Sequence, residues 1–233
     1  GDLDNDGIEE LFLSVLDGTI YYYKNTGTVS EPVFTEQIGS ANPFDGIALS
    51  TYGMPAFADL DGDGDLDVIT GTGFKYYKNT GTASSPVFEL QANDANPMYG
   101  KTIALTSRPT FADIDNDGDH DLFLGDVVGN ISYFKNTGST SVPEFTLQTG
   151  ADNPFGDTVY GANIRVAFTD LDSDGDLDAV AGGTDGKLIY FQNYGNATTP
   201  QFSTPTNPFS TIDVGYQSRP WFTDIDGNGE VEL

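Results

Sequence analysis

Residues 56–88 read AFADLDGDGDLDVITGTGFKYYKNTGTASSPVF, and the order of parts within them decides the fold. Ala56-Phe57-Ala58 leads into an acidic loop, and residues 66–70 leave it as an apolar run too short for a helix. Gly71-Thr72-Gly73 then supplies a turn, residues 74–78 read as an aromatic strand, and residues 87–90 follow an Asn-Thr-Gly loop. Four short strands therefore make one unit. The unit recurs, with acidic runs beginning at Asp2, Asp59, Asp113, Asp170 and Asp224 in steps of 57, 54, 57 and 54 residues. Three further markers keep the same period. Aromatic pairs end in Asn25, Asn79, Asn136 and Asn193; Pro-x-Phe falls at Pro32, Pro86, Pro143 and Pro200; Asn-Pro followed by Phe or Met falls at Asn42, Asn96, Asn153 and Asn207.

Tight turns at Asp17-Gly18, Gly129-Asn130 and Asp185-Gly186 suit hairpins because these residues tolerate positive φ. No stretch carries a sustained helical period with caps. Four strands per unit of this length, rich in Gly and aromatics, predict an all-β fold: a β-propeller of four-stranded blades with the acidic loops between strands one and two. Residues 1–233 read as one run of four periods that opens inside one acidic loop and closes just past another, so the chain is expected to be a segment of a larger propeller.

Charge excludes several partners. The 233 residues include 36 Asp and Glu against 9 Lys and Arg, a net charge of −27, which argues against nucleic acid and anionic membrane surfaces. No Cys is present, which removes disulfides, thiol catalysis and Cys-ligated zinc. No apolar run approaches the roughly 20 residues needed to insert across a bilayer.

The acidic loops share one spacing. Positions one, three, five and nine hold Asp2, Asp4, Asp6 and Glu10; Asp59, Asp61, Asp63 and Asp67; Asp113, Asp115, Asp117 and Asp121; Asp170, Asp172, Asp174 and Asp178; Asp224, Asp226, Asn228 and Glu232. Position six is always Gly, from Gly7 to Gly229. Carboxylates packed this densely repel unless a cation sits among them, and oxygen-only donors around a Gly turn favour Ca²⁺. Position seven is Ile8, Asp65, Asp119, Asp176 or Glu230, and the Ile implies a ligand from the backbone carbonyl. Up to five Ca²⁺ ions are expected. An EF-hand would need Glu at position twelve, where Leu13, Thr70, Leu124 and Ala181 stand.

Phe57 before the acids of the second loop, Gly64 at its sixth position, Asp67-Val68 closing it and the Tyr-x-Asn strand beyond resemble the FG-GAP/VCBS repeat family, over nearly the whole chain. Its members include the integrin α-chain head and many bacterial surface proteins. The resemblance implies a propeller with Ca²⁺ held between the first and second strands of each blade, and a ligand face opposite the calcium loops.

That face would carry the links between blades, about residues 39–53, 93–107, 150–163 and 205–218, with Phe44, Tyr52, Tyr99, Phe155, Tyr160, Phe209 and Tyr216 as candidate contacts to a protein or glycan. The opposing reading is that each Asn-Pro-Phe packs against a neighbouring blade, as identical recurrence favours. Arg108, Arg165 and Arg219 each stand five residues before a first Asp, either as a cationic ring for an acidic ligand or paired with nearby carboxylates and carbonyls. His120 is the single His and sits inside an acidic loop, so no Ser-His-Asp set forms, and the paired carboxylates are committed to the metal motifs. Asn130-Ile131-Ser132 and Asn196-Ala197-Thr198 are glycosylation sequons. The expectation is a non-catalytic, extracellular or cell-surface adhesion or recognition module. Self-association into a surface layer or fibre is the alternative, and the scaffold of a polysaccharide-active enzyme a more distant one.

Overall fold

The computed structural model describes residues 1–47, 49, 53–102, 106–224 and 231–233. The chain is all-β, built from the antiparallel meanders that serve as propeller blades, and it divides into two compact units. The first takes in Gly1–Thr102 with Thr223–Glu232, the second Ile103–Phe222 with Leu233.

In the first unit, β1 (Leu11–Ser14), β2 (Ile20–Asn25) and β3 (Phe34–Gln37) form a three-stranded sheet, and β4 (Pro55–Ala58), β5 (Asp67–Thr70), β6 (Tyr76–Asn79) and β7 (Phe88–Gln91) a four-stranded one. The second unit holds two four-stranded sheets: β8 (Arg108–Ala112), β9 (Asp121–Gly125), β10 (Ile131–Asn136) and β11 (Phe145–Gln148), then β12 (Arg165–Thr169), β13 (Asp178–Gly182), β14 (Leu188–Asn193) and β15 (Phe202–Ser203). Strands pair in chain order within every sheet. β5, β9 and β13 are buried along their whole length, which is why they read as unbroken apolar runs after the acid. Among the described residues their counterpart β1 has no strand on its outer side and leaves Leu11 and Leu13 exposed. Strand six begins at Tyr76, later than the sequence reading, because Phe74 takes a left-handed φ of 45° in the preceding turn.

Two recurring Asn side chains tie the loops down. Asn25, Asn79, Asn136 and Asn193 each accept two backbone N–H bonds across the Asn-Thr-Gly loop, such as Gly81 at 3.1 Å and Val87 at 3.0 Å for Asn79. The loop's Gly is fixed by close approach: a Cβ on Gly81 would lie 2.3 Å from the Ser85 carbonyl oxygen. The Asn of each Asn-Pro pair donates to the carbonyl that opens strand three of its blade or, for Asn96, to that of Phe74 two residues before the strand. Asn153 reaches Ile131 at 3.0 Å and Asn42 reaches Ile20 at 3.2 Å, while the Asn oxygen accepts the N–H two residues on. That clip turns the following aromatic inward. Phe44 meets Phe12 and Tyr22 on one sheet and Phe57 and Phe88 on the next. Phe155 meets Phe123 on β9 and Phe168, Phe191 and Phe202 on the following blade.

Candidate metal centre

Each acidic loop is a rigid turn built from its own carboxylates. Position one accepts from the backbone N–H groups of positions five and six: Asp2 from Asp6 (3.1 Å) and Gly7 (2.8 Å), Asp59 from Asp63 (3.2 Å) and Gly64 (2.9 Å). Asp113 and Asp170 do the same. Position five then accepts the N–H of position seven at 3.0–3.1 Å in all four loops. The sixth residue needs a left-handed backbone, with φ between 84° and 95° at Gly7, Gly64, Gly118 and Gly175. Position four is left-handed as well, at Asn5, Gly62, Asn116 and Ser173. Their short polar side chains, or none, suit that conformation, a signal the sequence reading passed over.

The result is convergence. Side-chain oxygens of Asp2, Asp4 and Asp6 lie within 4.8 Å of one another, as do those of Asp59, Asp61 and Asp63, of Asp113, Asp115 and Asp117, and of Asp170, Asp172 and Asp174. In the first three loops one oxygen of the third-position acid (Asp4, Asp61, Asp115) is buried with no hydrogen-bond partner. A desolvated carboxylate oxygen without a donor is costly, and a bound cation or water removes that cost. The donor set is all oxygen, which fits a hard cation such as Ca²⁺.

Position nine sits apart from that convergence. Asp67 accepts from the N–H of Asn79 (2.7 Å) and Leu60 (3.3 Å) and from the Tyr76 hydroxyl (2.8 Å). Asp121 and Asp178 take the equivalent bonds from Asn136 and Tyr133 and from Asn193 and Tyr190. Glu10, one methylene longer, accepts the Leu3 N–H at 2.8 Å and leaves its second oxygen buried and unpartnered. These acids brace the loop against strand three. Position seven places Asp65 and Asp119 half-buried and Asp176 buried, and Ile8 has no ligating side chain. In the fifth loop Asp226, Asn228 and Glu230 lie outside the described residues, while Thr223 and Glu232 exchange both backbone hydrogen bonds.

Strand three supplies a partner that the sequence reading used only as a period marker. Lys24 reaches Asp4 and, at 3.6 Å, Asp6; Lys78 reaches Asp61; Lys135 reaches Asp115 and, at 3.8 Å, Asp117. In the fourth loop the neutral Gln192 amide donates to Asp172 at 2.8 Å.

Burial sets the titration of the ninth position. It pushes Glu10 up to about 7 against an ordinary 4.5, Asp67 up to about 6 and Asp121 up to about 7 against 3.8, with the N–H and hydroxyl donors pulling the other way. A carboxyl whose folded pKa exceeds its unfolded value favours folding below pH 4 and loses that contribution as pH rises through 6 to 7. In metal-free buffer the unfolding midpoint is therefore expected to fall by several degrees between pH 5 and pH 7.5. A midpoint that climbs over that range would contradict the burial argument.

The candidate ligand-face residues separate by burial. Phe44 and Phe155 are each 3% exposed and belong to the core, so the packing reading of Asn-Pro-Phe holds for them and they are not surface contacts. Phe209 packs partly buried beside Tyr190. Tyr160 is half-buried, its hydroxyl donating to the Phe155 carbonyl at 2.8 Å. Tyr99 and Tyr216 are 58% and 68% exposed. Tyr52 lies outside the described residues. Among the described residues the exposed aromatics outside the predicted set are Tyr21, Phe34, Tyr194 and Trp221. His120 is exposed, its ring edge-on to Phe111.

The FG-GAP-like repeat family matches residues 2–70 and 113–181, and the chain belongs to that family. No curated protein matches it. Among solved structures, a lectin of Agrocybe aegerita, described as specifically recognising non-reducing terminal N-acetylglucosamine, is similar with a TM-score of 0.53 at 20% identity. That likeness covers 91% of this chain and 52% of the lectin, so the chain spans about half of the lectin's length.

Proposed function

We propose that this chain is a calcium-binding, non-catalytic recognition module that works outside the cell and takes a glycan or protein ligand. The observation that carries the reading is the threefold convergence of carboxylates repeated in four loops, with a buried unpartnered third-position oxygen in three of them. Asp2, Asp4 and Asp6, and their counterparts in the other loops, would hold the ion, with the position-seven carbonyl as a further donor. Bound Ca²⁺ would supply positive charge that neutralises the loop. The chain's own contribution is to pre-form the turn through the backbone bonds to positions one and five, and to anchor it on strand three through position nine. Millimolar extracellular calcium suits sites of this type. Exposed tyrosines on links between strands offer flat apolar faces of the kind that stack on sugar rings, and the likeness to a sugar-binding lectin of the same fold supports a glycan ahead of a protein.

A glycan array probed with the whole chain in calcium and in chelator tests this. Binding is expected in calcium only, weakened about tenfold or more by Tyr99→Ala or Tyr216→Ala. A chain that binds no glycan but assembles in calcium would replace the recognition reading with the structural one.

A further inference from the structure

The acidic loops leave a second set of charges unexplained. Arg108 opens β8 and Arg165 opens β12, and Arg219 lies in the same compact unit. β8 and β12 run side by side, the Thr110 hydroxyl donating to the Val166 carbonyl at 2.9 Å in a buried bond. The residues opposite Arg108 and Arg165 across their own sheets are Gly125 and Gly182. A Cβ on Gly125 would lie 2.2 Å from the Ile164 carbonyl oxygen, and one on Gly182 would lie 2.5 Å from the Ser218 Oγ. The absence of side chains there draws in the segments that carry the next arginine, since Ile164 precedes Arg165 and Ser218 precedes Arg219. Three guanidinium groups are thereby gathered in a protein of net charge −27.

Among the described residues no Asp or Glu lies within ion-pair distance of any of the three. Asp126 is the acid whose field reaches Arg108, but its oxygens are taken by the N–H groups of Val128, Gly129 and Asn130 and by the Asn130 amide. Of the sequence alternative of arginines paired with nearby carboxylates or loop carbonyls, no carboxylate pair forms among the described residues, and Arg108 meets the side-chain carbonyl of Asn163. Arg108 is 5% exposed; its Nη2 donates to Asn163 Oδ1 at 2.7 Å, and its Nε and Nη1 are buried without an acceptor. Arg165 Nε is likewise buried without one. Burial and the positive charges of Arg219 and Arg108 push the Arg165 guanidinium down to about 10. Unmet buried donors and mutual repulsion are both relieved by an anion and by little else. The loop acids do not serve: Asp113 and Asp170 stand five residues along an extended strand, about 16 Å away. That is twice the screening length of about 8 Å in physiological salt.

We propose that Arg108, Arg165 and Arg219 form an oxyanion site that takes the carboxylate or sulfate group of a small acidic ligand. Planar guanidinium forks match such groups in two-point hydrogen bonding. Trp221 borders the site, its ring 5.6 Å from the Arg165 guanidinium carbon and 53% exposed, which gives an attached sugar ring a surface to lie on. The site is distinct from the carboxylate loops of its own unit.

Trp221 is the chain's one tryptophan, so its fluorescence reads the site directly. The whole chain, folded in calcium, is titrated with sodium sulfate and with sodium glucuronate at ionic strength held constant by sodium chloride, with glucose as the neutral control. A saturable change with a dissociation constant at or below about 1 mM is expected for at least one anion. Arg219→Met, which alters an exposed side chain, and Arg108→Met are each expected to weaken it about tenfold or more. Equal affinity for both anions would support recognition of the oxyanion alone, and tighter glucuronate would support an acidic sugar. A change that follows ionic strength without saturating, one that glucose reproduces, or one that survives Arg219→Met would overturn the proposal.

Discussion

Removing calcium is expected to lower the thermal unfolding midpoint of this chain by about 20 °C or more. At free calcium about 100-fold above its dissociation constant, one site contributes about 2.7 kcal/mol, and four contribute about 11 kcal/mol. For a chain of this size each kcal/mol moves the midpoint by about 2–4 °C. The structural reason is the same in every loop. Three carboxylates are held together by backbone bonds that do nothing to cancel their charge, and each of the four loops buries a carboxylate oxygen with no donor, at the third position in three of them and at Asp176 in the fourth. Scanning calorimetry in calcium and in excess chelator reads the difference. An unchanged midpoint would remove the metal from the proposed function while leaving the propeller blades intact.

The second large effect is expected at Phe155. Its ring stands against four other rings from two adjacent sheets of one unit, at centroid distances from 4.9 to 6.2 Å. Phe155→Ala removes that wedge and is expected to cost about 3–5 kcal/mol through lost transfer energy and the cavity left behind. Tyr216→Ala, at an exposed position of the corresponding link one period later, is expected to change stability by no more than about 0.5 kcal/mol. Denaturant unfolding of both variants, at saturating calcium, checks the contrast. Equal effects would mean that Phe155 is not the buried contact described.

Much of this architecture was legible in one reading of the chain, because a repeat reports its own boundaries. Asp59 to Asp67 marks the end of β4 and the start of β5, and Tyr76-Tyr77-Lys78-Asn79 coincides with β6. Spacing also pointed to the convergence of the first, third and fifth acids, since it encodes which side chains a tight turn points inward. Direction across the blade was the hidden quantity. Lys78 sits 17 residues from Asp61, and only the pairing of β5 with β6 shows that its side chain ends in the loop. Asp67 looked like a fourth ligand by spacing. Its oxygens also answer donors from Asn79 and Tyr76, which lie one strand away. Phe44 and Phe155 were ambiguous for a related reason: an aromatic after Asn-Pro is equally compatible with a surface and a core until the Asn clip fixes which way the link folds.

The lysines of strand three have a further consequence for how such a repeat would respond to calcium. With Lys24, Lys78 and Lys135 seated against their acids, the proposed metal entry at three loops would be an exchange of cations, the ammonium leaving as the ion arrives. At the fourth loop Gln192 carries no charge to displace. Near-identical loops would thus differ in affinity by one residue, and a chain filled this way would tighten in stages as calcium rises instead of snapping shut at a single threshold.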